Sequence, residues 1–402
     1  MYKQTLPWVT NYDVSEIPPY TIPDPLKCQD GTVIASKEQW EAKRRPELLK
    51  LFHDYMYGQV PPMPDKVEYD LLTEDKSALG GIAIRREVRI TFRMNDGRFR
   101  NFVTLAYIPA GAKGKVPVFV GLTFMGNHVI TNEEVMKTGM SLPLAPDKQV
   151  RGLQVQRFPL EYIMGRGYAV VVASYNDIFP DRADGWKDSL FNLFFSKKEL
   201  EDRLENYSSI GLWSWGHSRI LDMLDIMPEI DTNRAAVFGH SRLGKTALWT
   251  GAQDTRFNLV CVNDSGCGGA ALNRRLYGET LFSMATRGNI GYWFCKYLCE
   301  HSLHPEDLPF EQNELISLVA PRAVSVHSAT EDQWADPTSE YYSAYHAGPV
   351  YRLYGKTPLA NPEPPQPNTP VGTDVSYFLR EGYHNILIAD WKHYLDLADM
   401  YL

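Results

Sequence analysis

Two patterns of apolar and polar positions divide the chain. Between residues 67 and 109, apolar and polar positions alternate in VEYDLLTE, IAIRREVRITFRM and FVTLAYIP. This alternation is typical of strands with one exposed face, and it predicts an antiparallel meander. After Lys115 the apolar positions run continuously in PVFVGLTF, YAVVVASY, AAVFG, LVCVND and RAVSVHSA. Such runs are typical of parallel strands that are buried on both faces.

Helical segments surround these strands. In the N-terminal part, Ser36 is the predicted N-cap of a helix that closes at Gly58. Further helices are predicted over Leu160 to Arg166, Ile210 to Ile226, Lys245 to Ala252 and Asp390 to Leu402. A meander followed by alternating strands and helices predicts an α/β-hydrolase fold, with a mixed, mostly parallel sheet in a three-layer αβα sandwich. We expect residues 1–402 to form a single catalytic domain, with about 1–65 as an N-terminal decoration packed on it, and 356–370 to form a proline-rich surface loop.

Composition and charge narrow the classes of function. The chain has 402 residues, of which 44% are hydrophobic and 22% are charged, as is ordinary for a globular protein. Its net charge of -8 argues against nucleic acid or an anionic membrane as a partner. The five cysteines are too few for a disulfide scaffold, and no Cys and His cluster with metal-ligand spacing is present, so no metal is expected. The sequence predicts neither a membrane span nor a signal peptide in this chain.

The strongest signal for chemistry is the segment AAVFGHSRLGKTALWTGA. A strand-like run ends at Gly239, Ser241 occupies the turn, and a helix begins near Leu243. A nucleophile elbow has this strand–turn–helix form, in which small residues allow the turn and the helix N-terminus stabilises negative charge. The spacing departs from G-x-S-x-G because the second glycine is Gly244, one residue late. On spacing alone a helix N-cap serine is equally good, but the preceding buried strand and the partners described next favour a catalytic serine.

A serine nucleophile requires a base and an acid, which in this fold follow it along the chain. His384 follows the last strand-like run, VSYFLREGYH, and is the predicted base, whereas His240 should point away from the serine hydroxyl and His327 should lie in the core. Two carboxylates are candidates for the acid, namely Asp332 after RAVSVHSA and Asp264 after LVCVND. We favour Asp332 because it holds the usual position, and a shared or supporting role for Asp264 stays open.

Seven segments, in order along the chain, resemble the glucuronoyl esterases of carbohydrate esterase family 15. GHSRLGK resembles the G-x-S-R-x-G-K signature of that family, and the resemblance extends through EQWEAKRRPELLKLF, VGLTFMGNH, GLWSWGHSRILDMLD, RRLYGE, SATEDQWADP and FLREGYHNILIADW. It implies a serine esterase that cleaves the ester between (4-O-methyl)glucuronic acid of glucuronoxylan and lignin alcohols, without a metal or organic cofactor. It also implies a secreted or periplasmic protein, which we expect to be a monomer.

The resemblance further implies roles for individual residues around the nucleophile. Lys245 and Glu279 would hydrogen-bond the sugar hydroxyls, and Trp334 would form an aromatic wall. Arg242 would stabilise the oxyanion together with a backbone N–H of the elbow. From the sequence pattern alone, Lys245 could be a surface lysine in the first turn of a helix, and Glu279 could be a partner for Arg274 or Arg275.

Two positions depart from the pattern of the family. His240 stands where fungal members often carry a cysteine in a disulfide, so the bacterial branch is the closer likeness. Asp264 stands where many members have glutamate, which leaves the division of labour between the two acids open. Two other functions are compatible with the same residues: a different carbohydrate esterase, similar to acetyl xylan esterases, and a hydrolase-like carbohydrate-binding protein without turnover.

Overall fold

The computed structural model describes residues 10–140, 145, 147, 150–203, 206–287 and 290–402. In these ranges nine strands form one sheet in the order β1-β2-β3-β5-β4-β6-β7-β8-β9. The strands are β1 Lys66–Ser77, β2 Ala83–Arg93, β3 Phe99–Pro109, β4 Val116–Thr123, β5 Ala169–Ser174, β6 Ile230–His240, β7 Phe257–Asn263, β8 Ala323–Ala329 and β9 Val375–Arg380. The pairs from β1 to β3 and the β3–β5 pair are antiparallel, and all further pairs are parallel. The predicted meander followed by a parallel sheet is thereby confirmed.

Helices cover both faces of this sheet. In chain order they are α1 Lys37–Gln39, α2 Arg45–Phe52, α3 Ala78–Gly81, α4 Leu160–Gly165, α5 Tyr175–Ile178, α6 Phe191–Phe194, α7 Lys197–Arg203, α8 Ser209–Met223, α9 Arg242–Gln253, α10 Lys296–Glu300, α11 Gln312–Ser317, α12 Pro337–His346, α13 Gly348–Leu353 and α14 Ile388–Tyr401. None of the helices in the described part of the chain has both the length and the apolar character needed to cross a membrane.

The side chains of the central strands alternate between two cores, one on each face of the sheet. In β4, Val118 and Val120 belong to one core, whereas Phe119 belongs to the other. The first core also contains Trp213 of α8 and Trp249 of α9, and the second contains Trp391 of α14. Both faces are therefore buried, which explains the continuous apolar runs and confirms the three-layer αβα sandwich.

The N-terminal helical segment packs on the first of these cores. Ser36 caps it, as predicted, by accepting a hydrogen bond from the Gln39 amide. Two π-helical turns, Trp40–Arg44 and His53–Tyr57, interrupt the helix that the sequence predicts as continuous. The predicted loop over 356–370 forms neither helix nor strand.

Candidate active site

Ser241 lies in the tight turn between β6, which ends at His240, and α9, which begins at Arg242. Its backbone has φ 59° and ψ -130°, a conformation that costs a non-glycine residue about 1–3 kcal/mol. The Ser241 amide donates to the Asn263 carbonyl over 2.8 Å, which ties the strained turn to the neighbouring strand β7. The first N–H groups of α9 have no acceptor within the helix, so they can donate to negative charge that develops at the serine.

Two glycines make this turn possible. A Cβ atom on Gly239 would lie 1.9 Å from the Leu243 carbonyl oxygen, and one on Gly244 would lie 2.9 Å from the Asn263 carbonyl oxygen. Both positions therefore exclude a side chain. The glycine that comes one residue late in the sequence is thus required where the start of α9 packs against the end of β7.

His384 and Asp332 are in direct contact. His384 follows β9 and Asp332 follows β8, and the ends of these adjacent parallel strands bring the two side chains together. The distance from His384 Nδ1 to the buried carboxylate of Asp332 is 2.5 Å, and the His384 ring centroid lies 4.5 Å from that of His240, the neighbour of Ser241. Among the described residues no hydrogen bond joins Ser241 Oγ to His384 Nε2. Such bonds often tighten only when substrate binds.

Asp264 lies beside this pair without a hydrogen bond to the histidine. Single side-chain atoms of Asp264, Asp332 and His384 lie within 4.8 Å of one another. One oxygen of Asp264 accepts from the Asn385 amide over 3.1 Å and from Arg380 over 3.4 Å. Burial, followed by the nearby charge of Asp332, raises the pKa of Asp264 well above its usual range. Of the two carboxylates, Asp332 therefore makes the direct contact with His384, and Asp264 contacts the neighbouring Asn385 and Arg380.

Arg380 organises the loop that carries His384, and the sequence analysis did not identify it. Its buried guanidinium donates to the carbonyl oxygens of Tyr383 and Asn385, over 2.9 and 2.7 Å, on either side of the histidine. It also donates to the carboxylate of Asp390 over 3.0 Å. A cation at the end of an otherwise apolar strand was the available signal, because a buried charge requires such partners.

The guanidinium of Arg242 is held by an anionic centre that sequence reasoning also missed. Arg242 donates to Asp181, and its guanidinium carbon lies 4.6 Å from the ring centroid of Trp293. Asp181 further accepts from Tyr175 Oη and Tyr292 Oη, each over 2.7 Å, and from Trp293 Nε1 over 2.8 Å. These donors fix the carboxylate, which in turn fixes the arginine next to Ser241. Nothing in the sequence around Asp181 distinguishes it from an ordinary loop acid.

Lys245, Glu279 and Trp334 form a hydrogen-bonded series beside the elbow. Lys245 is only 2% exposed, so the alternative of a surface lysine is wrong. Its ammonium group donates to the carbonyls of Ser265 and Cys267, over 2.5 and 2.6 Å, and to Glu279 over 2.7 Å. The other oxygen of Glu279 accepts from Trp334 Nε1 over 3.1 Å. Because all three ammonium hydrogens are used within the protein, Lys245 orients Glu279.

Glu340 supports the loop to which this lysine binds. It is fully buried, and it accepts from the amide and hydroxyl of Ser265, from the amide of Gly266 and from the hydroxyl of Ser328, over 2.6 to 2.9 Å. Burial raises the pKa of Glu340 to about 7. The sequence analysis did not find this residue, because its partners lie on other elements of the fold.

The sequence of this chain is similar to those of known carbohydrate esterases. A family model described as glucuronyl esterase, fungi, matches residues 155–355. The carbohydrate esterase MZ0003, from an unknown prokaryotic organism, is 39% identical to this chain over 405 residues, which cover 98% of this chain and 92% of that protein.

Two solved structures are similar throughout. A promiscuous esterase of carbohydrate esterase family 15, from a marine bacterial metagenome, has a TM-score of 0.87 and 37% identity, covering 98% of this chain and 100% of that chain. The glucuronoyl esterase from Solibacter usitatus has a TM-score of 0.88 and 35% identity, covering 96% and 99%.

Proposed function

Because this chain belongs to carbohydrate esterase family 15, the glucuronoyl esterases, we propose that it hydrolyses esters of (4-O-methyl)glucuronic acid. Its natural substrate would be the ester that joins the uronic acid side groups of glucuronoxylan to lignin alcohols. One observation carries this proposal: the series from Lys245 through Glu279 to Trp334 begins in the first turn of α9, the helix that Ser241 directly precedes. The acid half of a sugar ester requires a hydrogen-bond acceptor and an aromatic surface in its pocket, and Glu279 and Trp334 support the proposal because they supply both.

The first step is the attack of Ser241 Oγ on the ester carbonyl. His384 accepts the serine proton at Nε2, while Asp332 holds the opposite nitrogen and stabilises the imidazolium that forms. The imidazolium then protonates the departing alcohol, which leaves the glucuronoyl group esterified to Ser241. In the second step water loses a proton to His384 and attacks this acyl-enzyme, and the uronic acid is released with the serine restored.

The oxyanion of each tetrahedral intermediate lies at the N-terminus of α9. There the Arg242 guanidinium and a backbone N–H of the elbow supply positive charge and a donor. Because Asp181 fixes the guanidinium before the substrate arrives, little reorganisation is needed during the reaction. Such preorganised donors are worth on the order of a hundredfold or more in rate.

Recognition of the sugar falls to Glu279 and Trp334 in this proposal. Glu279 is oriented by two donors and retains acceptor capacity for sugar hydroxyls. Trp334 is 40% exposed, which leaves its ring available to the sugar. Lys245 acts through Glu279, because its three hydrogens are already bound.

We further propose that residues 1–402 act as one catalytic domain, and that the protein is a monomer that is secreted or periplasmic. The sharing of one core by Trp40, Phe52 and the helix α9 supports a single domain. In this proposal about 1–65 decorate the hydrolase fold, and residues 1–9 of that decoration lie outside the described part of the chain. The compartment rests on family resemblance. Size-exclusion chromatography tests the oligomeric state, and fractionation of the native host tests the compartment.

The decisive experiment compares the wild type with Ser241→Ala on benzyl glucuronate. We expect hydrolysis by the wild type and a loss of at least a thousandfold in the variant, together with labelling of the wild type alone by a fluorophosphonate. Equal activity in both proteins would refute Ser241 as the nucleophile. Release of acetate from acetylated xylan without hydrolysis of benzyl glucuronate would favour an acetyl esterase, and binding without labelling would favour a protein without turnover.

A further inference from the structure

Exposed aromatic side chains concentrate at one place on the described surface. In the described ranges, four aromatic residues are strongly exposed: Tyr12 at 52%, Phe99 at 50%, Trp334 at 40% and Tyr383 at 73%. Three of them lie around the pair of His384 and Asp332. Tyr383 directly precedes His384, Trp334 follows Asp332 by two residues, and Tyr12 reaches the same place through the contacts described next. We call Tyr12, Trp334 and Tyr383 the aromatic rim.

The N-terminal segment brings Tyr12 to the rim although it is remote in sequence. The Asn11 carbonyl accepts from the Gly278 amide over 2.9 Å, and the Asn11 side chain donates to the Leu276 carbonyl over 3.2 Å. The Tyr12 ring packs edge-on against the Tyr277 ring, with centroids 5.9 Å apart. Tyr277 Oη in turn donates to Gln333 Oε1 over 2.6 Å, and Gln333 directly follows Asp332, so these contacts bring Tyr12 to the loop that carries the proposed catalytic acid.

Backbone hydrogen bonds connect the loops that carry the rim. The Glu279 amide donates to the Trp334 carbonyl over 2.7 Å, and the Glu331 amide donates to the Gly382 carbonyl over 2.9 Å. Together with the bond at Asn11, these contacts join four chain segments side by side. The rim is therefore a fixed surface, continuous with Glu279 on the side of the site that the proposed function gives to the sugar.

The charges beside the rim restrict what it can bind. The exposed charged residues within three positions of its members along the chain are acidic, namely Asp13, Glu331 and Glu381. The cations Arg275 and Arg380, which contact Tyr277 and Tyr383, are buried and paired with Asp336 and Asp390. A polyanionic chain would be repelled there, whereas a neutral polysaccharide would not. Exposed aromatic rings offer flat apolar surfaces that match the apolar faces of pyranose rings.

We propose that Tyr12 and Tyr383 extend the site along the polysaccharide, by stacking on the neutral xylosyl residues next to the esterified uronic acid. This inference rests on the proposed function, since it names what lies beyond the uronic acid in the same substrate. In this proposal the rim binds the xylan chain, and the alcohol of the ester binds on the side of the site where Arg242 lies.

The test compares two esters with the same alcohol, benzyl glucuronate and its counterpart in which the uronate is carried by xylotriose. The variants are Tyr12→Ala, Tyr383→Ala and the double variant, with Tyr12→Phe as a conservative form. Phe99→Ala is the matched control, because Phe99 is equally exposed but lies on β3, which β5 and β4 separate from β6. Each single alanine variant should lower kcat/KM on the xylotriose ester about three- to tenfold, which is the range for one aromatic contact, and the loss should appear as a higher KM. On benzyl glucuronate, the alanine variants should keep kcat/KM within about twofold of the wild type. Tyr12→Phe and Phe99→Ala should also keep kcat/KM on this ester within about twofold of the wild type.

Three outcomes would overturn the proposal. The first is a wild type that hydrolyses both esters with equal kcat/KM. The second is an equal loss of kcat/KM on both esters in the alanine variants. The third is a loss of kcat/KM that disappears when the benzyl ester is replaced by the methyl ester, which would assign the rim to the alcohol. If the wild type hydrolyses neither ester, the proposed function fails separately. Calorimetric binding of xylohexaose then decides the rim: binding weakened by the alanine variants and not by Phe99→Ala upholds it, and unchanged or absent binding overturns it.

Discussion

Replacing Asp332 by Asn tests which carboxylate serves the base. In the wild type the Asp332 carboxylate lies 2.5 Å from His384 Nδ1, so the proton stays on Nδ1 and Nε2 is free to accept from Ser241. An amide can present its NH2 group to Nδ1 and so favour the opposite tautomer, which cannot act as a base. Loss of the acid in serine hydrolases lowers kcat by about 10⁴-fold, which corresponds to about 5 kcal/mol of transition-state stabilisation. We expect a loss of that order in Asp332→Asn.

Asp264→Asn is the matched control, because it has the same chemistry on the neighbouring strand. Burial raises the pKa of Asp264, so a neutral amide of equal shape replaces a group that already resists ionisation. The change affects bonds to Asn385 and Arg380, and we expect a loss of about tenfold or less, the equivalent of one net hydrogen bond. The assay is kcat on benzyl glucuronate, with thermal melting to verify folding. Equal losses, or a larger loss in Asp264→Asn, would refute the assignment.

Three further predictions concern the elbow, the oxyanion site and acid stability. Gly239→Ala should lower kcat about a hundredfold or more, because its Cβ would overlap the Leu243 carbonyl at 1.9 Å and displace the nucleophile; normal fluorophosphonate labelling would contradict this. Asp181→Asn should lower kcat about tenfold to a hundredfold with little change in KM, because Arg242 loses its anchor; a change in KM alone would contradict it. Burial lowers the pKa of His217 to about 3, so below about pH 6.5 the unfolded chain binds a proton that the folded chain does not, and stability falls with falling pH. Urea titrations at pH 7 and pH 4.5 measure this fall in the free energy of unfolding, which should be about 2–3 kcal/mol smaller in His217→Asn than in the wild type. An equal fall in both proteins would contradict a buried neutral histidine.

Much of the fold can be predicted from the sequence, because burial of a strand or helix imposes a periodic spacing of apolar residues. The meander and the parallel strands are correct as predicted, since the number of buried faces fixes the spacing of apolar residues. The N-terminal helix is correct in extent but not in its regularity. Its π-helical turns arise where Trp40 and Tyr57 pack into the core, and helical periodicity carries no trace of that packing.

The candidate site is only partly readable in the same way. Ser241, Asp332 and His384 each follow a strand, so the predicted topology brings them to one edge of the sheet, although their catalytic roles stay predictions. Asp181 has no such signal, and the signal for Arg380 is only a cation at the end of an apolar strand, because the contacts of both residues join elements far apart in sequence. The burial of a cation against distant carbonyls is a tertiary event, which a local pattern does not encode.

The strained backbone conformation of Ser241 lowers the stability of the fold at the same residue that the proposed reaction requires. Glycine adopts a positive φ at little cost, so an inactive Ser241→Gly chain should resist heat better than the active enzyme. Engineering that selects variants for thermal tolerance alone would therefore favour loss of the nucleophile. A screen for robust esterases from this scaffold must couple survival after heating to turnover in the same assay.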